Sequence, residues 1–266
     1  MDARSHCHRQ ARGDRVSDES EALLHEATGA LVQGRAGDAI ASFEALADRG
    51  VTDANISYDR GLAYATRVRI GAELPGDLGR AAQGFEEARS LTSDPKTTED
   101  ASHALAIVRA EVARRRGRNG DPVELDQGLS LGRTVTHLVS EPAWSALALA
   151  ASVVLGLGLA VRRLTSARRV HVAASIAASI AAALLVICTV LSVAMRDERL
   201  HRREGVIVAT SALPADERGM SRPGASSLPE AALVEIVDMK PGWTHVRWGK
   251  VDGWVPAGAV RGIEKP

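Results

Sequence analysis

The sequence predicts a multi-domain α plus β chain: an all-α run of helical repeats, a two-helix transmembrane hairpin and a small all-β barrel. Three patterns predict it. Apolar positions recur at a helical period over residues 21–116, two uncharged apolar runs occupy 142–161 and 172–195, and short strands separated by turn residues fill 205–266. A disordered tail at 1–20, a linker at 117–141 and a juxtamembrane segment at 196–204 complete the partition.

Composition narrows the function classes. The chain carries 33 basic and 33 acidic residues, so no overall field favours nucleic acid or a strongly acidic partner. Aromatic residues are 3% of the total, which suits helix packing through small side chains. Cys7 and Cys188 lie too far apart in character, one in a polar tail and one in an apolar run, to predict a disulfide framework. His6, Cys7 and His8 lack further ligands at structural spacing, so neither metal nor cofactor is expected. A phosphate-cradling Gly-rich loop with lysine and a nucleophile elbow are also missing from the sequence, and the chain reads as a non-enzyme.

In the first part, Leu23, Leu24, Ala27 and Leu31 fall on one helical face, and Ala39, Ile40, Phe43 and Leu46 on the next, with Gly34 and Gly37 between them. Tyr58, Gly61, Leu62, Ala63 and Tyr64 open a second pair, which Ala81, Ala82, Phe85 and Ala88 continue up to Asp94-Pro95. The pair Ala39 and Phe43 is matched by Ala81 and Phe85. A further amphipathic helix is expected over 98–116, acidic and hydroxylated at its start and basic at its end, as the helix dipole favours.

Each apolar run is long enough for a hydrocarbon core of about 30 Å. Between them stand Arg162, Arg163, Arg168 and Arg169, whereas the segment before the first run holds Arg133 among several acids. The positive-inside rule then leaves this loop in the cytoplasm and both soluble parts outside it. Arg196, Arg199, Arg202 and Arg203 follow the second run and oppose that orientation. Residues 1–20 contain no apolar signal core, so export of the first part requires a start farther upstream, which is the favoured reading, or an N-terminal part translocated unaided, and otherwise the topology is inverted. Small residues recur every fourth position, at Ala148, Ser152, Gly156 and Ala160 and at Ala174, Ala178 and Ala182, and predict close backbone approach.

The last part reads as strands near 206–209, 232–237, 244–248 and 253–255, with Val234, Ile236, Val246, Trp248 and Val255 turned inward. Trp243 and Trp254 are either a ligand platform or further packing of the small barrel.

These motifs carry three resemblances. Tyr58, Gly61, Tyr64, Ala81, Phe85, Ala88 and Pro95 resemble tetratricopeptide repeats, whose period of 34 residues would require about eight extra residues, placed at 68–75. A plain helical bundle is the alternative. The ending Gly242-Trp243 to Val246, then Gly253-Trp254-Val255, resembles a bacterial SH3-like domain, although Ser211-Ala212-Leu213-Pro214 replaces the family's usual Arg-Ser-Gly-Pro-like turn. The order of parts is similar to the BatE-type proteins of bacterial Bat (aerotolerance) operons. That resemblance implies a non-enzymatic inner-membrane scaffold with protein partners, a MoxR-type ATPase system and membrane proteins with von Willebrand factor A domains. The alternative is an envelope sensor or cell-wall module that binds peptidoglycan through the SH3-like domain.

Overall fold

A computed structural model describes residues 3–120, 141–164, 168–201, 203–220 and 226–265. These contain seven helices and a five-stranded antiparallel sheet, a mixed α and β architecture. The chain divides into two compact units, Met1–Gln127 with Arg203–Pro266, and Gly128–Arg202. The expected linker lies outside the described residues beyond position 120 and before 141.

In the first unit, α1 (Ala3–Val32), α2 (Ala36–Asp48), α3 (Ala54–Arg69), α4 (Asp77–Leu91) and α5 (Pro95–Asn119) pack each against the next. Helix α1 takes in most of the stretch expected as a tail, which contains no proline to stop it. Asp53 caps α3 by accepting from the backbone N–H of Asn55 and Ile56. The extra residues expected at 68–75 fall across the end of α3 and the turn that precedes Gly76.

Asp94-Pro95 follows the end of α4 at Leu91 and also opens α5. Asp94 accepts from the Thr97 N–H and Pro95 occupies the first turn, where its missing N–H costs nothing. Ala39, Phe43, Ala81 and Phe85 all lie in the shared core, each under 2% exposed.

The sheet is formed by β1 (Arg203–Ile207), β4 (Leu233–Lys240), β5 (Trp243–Trp248), β6 (Val251–Pro256) and β7 (Val260–Gly262), in the order β6-β5-β4-β1-β7. A two-residue pair, β2 (Ser211–Ala212) with β3 (Leu228–Pro229), lies in the long connection between β1 and β4. One turn of 3-10 helix, Ala257–Ala259, precedes β7. Val234, Val246, Trp248 and Val255 are buried as the alternation predicts, with Ile236 packed at the margin beside a register shift in β4.

Strand β1 has a side chain in each of two cores. Val206 enters the core of the helices and its neighbour Ile207 enters the core of the sheet. Successive side chains on a strand point to opposite faces, so β1 is buried on both. The helices and the sheet are therefore packed on one another through β1 and β7.

In the second unit, α6 (Glu141–Leu164) and α7 (Arg168–His201) pack together. Each contains a stretch long and apolar enough to cross a membrane, Ala146–Leu164 and Ser175–Val193. Most of their large apolar side chains, such as Leu157 and Val190, are exposed, whereas a core helix of a soluble protein buries such a stripe.

The small-residue stripe divides between the two helices: on α6 Ala148 is half-buried while Ser152, Gly156 and Ala160 are exposed, and on α7 Ala178 is buried. The covered positions are Ala151, flanked by Ala148, Leu155 and Gly158, and on α7 Ala178, Ala181 and Cys188, flanked by Ser175 and Leu185. The steps between them are of three and four residues, so a strict four-residue stripe drifts off the covered face. Ala182 is half-buried, and the side chain of Ala174 lies outside those described.

Candidate functional site

Among the described residues, the β part carries an open cleft of ≈ 450 Å³. Trp243 at the start of β5 forms one wall, Leu213 and Gly219 of the β2–β3 connection another, and Pro256 and Gly258 its end. Gly219 adopts φ +78°, and a side chain built there would meet the Trp243 ring at 3.5 Å. Apolar and aromatic walls with few polar groups suit an apolar segment of a ligand.

Trp254 is placed elsewhere. It is 6% exposed and stacks on His245 with ring centroids 4.8 Å apart, while the Lys240 ammonium lies 4.2 Å from its centroid. Backbone bonds in both directions bridge Trp254 to Ala215. Asp252 accepts from His245 and Arg247 beside it, and these partners hold its carboxyl below the usual range against the opposing effect of desolvation. Trp243 and Trp254 thus do not line a single open surface.

Of the repeat-motif residues, Gly61 lies where α3 crosses α4. A side chain there would come within 3.0 Å of the Phe85 ring and of the Ala81 carbonyl. Tyr58 packs on Phe85 at 5.4 Å, and Tyr64 is 4% exposed and donates to Glu44. Ala81 and Ala88 are fully buried. Arg162 and Arg163 are exposed in the last turn of α6, and Arg168 and Arg169 begin α7.

Sequence reasoning missed the seam between helices and sheet. Helix α4 has no side-chain cap of its own; Glu230, between β3 and β4, accepts from the Gly79 N–H at 2.8 Å and supplies one. Burial raises the Glu230 pKa, with the Gly79 N–H pulling the other way. Ala231, at φ 62°, makes the left-handed turn that carries Glu230 there, a conformation costly for any residue with a Cβ. Gly76 and Gly79 let α4 lie directly on the β1 end: added side chains would fall 2.2 Å from the Val208 carbonyl and 2.6 Å from Ile207 and Val208 backbone atoms.

The C-terminal strand adds charge to the seam. Arg261 pairs with Glu44 at 2.6 Å, while Gln83 and Ser90 donate to the carbonyls of Gly262 and Glu264. Beneath lies the buried Arg60–Glu87 pair, 2.5 Å apart, bridged by Gln83. Desolvation works against ionised Glu44, but Arg261 and Tyr64 outweigh it and lower its pKa. The signal available in the sequence was the run Val206-Ile207-Val208, which does not alternate and so marks a strand covered on both sides.

Among the described residues no group of His, Cys, Asp and Glu could hold a metal ion. Comparison with protein-family models, curated proteins and solved structures returned no match.

Proposed function

We propose that this chain is a non-enzymatic, membrane-anchored scaffold for protein–protein interaction, of the BatE type, acting with a MoxR-type ATPase and von Willebrand factor A domain proteins in a bacterial envelope. The observation that carries the reading is the Trp243-walled cleft on a unit whose chain also holds two candidate membrane-spanning helices. Three features support an SH3-like identity for the β part: the strand order β6-β5-β4-β1-β7, a small hairpin in the first connection, and a 3-10 turn before the last strand. The close crossing at Gly61, with Phe85 filling the space beside it, supports a repeat character for the helices.

Affinity purification of the full chain from native membranes should co-purify the ATPase and the von Willebrand factor A proteins. Trp243→Ala should weaken that capture by about 2 kcal/mol, about thirty-fold, as expected for an aromatic anchor. Loss of neither partner on Trp243→Ala would remove the cleft from the reading. Sedimentation with peptidoglycan in the absence of those partners would favour the cell-wall module instead.

On the same reading both flanks of the hairpin are extracytoplasmic and its bend is cytoplasmic. In a chain whose Cys7 and Cys188 are first replaced by serine, a cysteine introduced as Thr165→Cys should react with a membrane-impermeant maleimide only after the cells are opened. Labelling of intact cells would invert the orientation.

A further inference from the structure

We infer that the α2–α4 face is a docking surface whose occupant is the chain's own C-terminal module, residues 203–266, held in cis, and that this docking survives when the backbone joining the two is cut.

Three independent features of the seam support it. First, the approach is too close for side chains: α4 meets the end of β1 through Gly76 and Gly79, and each position excludes even a Cβ. Second, the two pieces satisfy each other's polar groups. The Glu230 carboxylate accepts an N–H at the start of α4, where a helix leaves donors unpaired and favours negative charge, and the strained Ala231 turn is what delivers it. Third, an ion pair crosses the seam, Arg261 on Glu44, between positions 217 residues apart in the chain.

The intervening residues form a separate compact unit, so the seam does not depend on them for its contacts. The contacts of the seam are made within one chain, so the occupant we commit to is the module of that same chain. A consequence follows for recognition: an external partner cannot occupy the α2–α4 face while the module is seated. On the membrane reading, from which the docking itself is independent, both flanks of the hairpin must also share a compartment.

The test uses the full chain in detergent, with an N-terminal tag and a specific protease site inserted between Gly128 and Leu129. After cleavage, capture through the tag should retain most of the C-terminal piece. Gly79→Leu should release it. Glu44→Arg sets two guanidinium groups against each other and should speed release about tenfold, and adding Arg261→Glu should restore retention. Free elution of the C-terminal piece from the cut wild type would overturn the inference, as would retention indifferent to both Gly79→Leu and Glu44→Arg. Capture of an untagged second copy's C-terminal piece, after co-expression, would assign the docking to dimers and overturn the cis assignment. None of these outcomes depends on partner capture or peptidoglycan sedimentation, so the docking and the scaffold reading fail separately.

Discussion

Gly84→Val is expected to lower the thermal midpoint of the full chain by about 6–12 °C, from a loss of about 3 kcal/mol or more. A side chain at Gly84 would lie 2.7 Å from the Ser57 carbonyl and from the Gly61 N, and 2.8 Å from the Gly61 Cα. All three are backbone atoms of α3, so no rotamer change can make room, and the two helices must separate. Separation then opens the core that Phe85 fills and takes Tyr58 and Tyr64 with it. Gly37→Ala supplies the contrast. Nothing lies within 4 Å of a side chain there, and a helical alanine should stabilise by about 0.5–1 kcal/mol through the unfolded state. Circular dichroism melts of the two variants should therefore move in opposite directions. A Gly84→Val midpoint equal to that of the wild type would show that α3 and α4 do not cross closely at Gly61 and Gly84.

The same crossing shows what was legible in the sequence. Small residues at Gly61, Ala81 and Ala88, with Phe85 beside them, are a local pattern, and their burial follows from helical period alone. The inward faces of β4 and β5 were legible for the same reason, because alternation at Val234 and Val246 is set by the pleat. The seam was not, since it joins residues far apart in the chain. Glu230 reads as one more loop acid, and its partner is a backbone N–H that leaves no trace in composition. Gly79 reads as a weak helix residue until β1 is placed against it.

The candidate site divides in the same way. Trp243 and Trp254 stand in matching Gly-Trp motifs, yet Trp254 is buried, with its backbone bonded to Ala215, while Trp243 lines a cleft, and the motif alone does not separate the two. The helix pair of the second unit shows the limit of spacing rules. Small residues at every fourth position are conspicuous in a sequence rich in alanine, but the covered positions on both helices also step by three, so a strict four-residue stripe follows the seam only in part.

Asp77→Ala is expected to destabilise the helical layer by about 3–5 kcal/mol, the cost of stranding one member of a buried ion pair. The Asp77 side chain is fully buried and accepts two N–H groups of Arg67, at 2.8 and 2.5 Å, and the Leu74 backbone N–H at 2.8 Å. It also opens α4, where a carboxylate complements the helix dipole. Alanine leaves the Arg67 guanidinium, 14% exposed, with the Tyr64 ring 5.3 Å away and no anion from Asp77.

If the stranded cation carries the cost, removing it should return stability. The double variant Asp77→Leu with Arg67→Met is therefore expected to melt above Asp77→Leu alone, with a coupling of about 1–3 kcal/mol in a double-mutant cycle. A cycle that closes to zero would mean the two side chains act independently and that Asp77 serves the backbone of Leu74 instead. The first turn of α4 seats β1 at Gly76 and Gly79, so a loosened Asp77 also loosens the seat of the C-terminal module. In the cut chain, Asp77→Ala should accordingly release the module although it touches neither Glu230 nor Arg261, because the turn that presents the Gly79 N–H is no longer held in place.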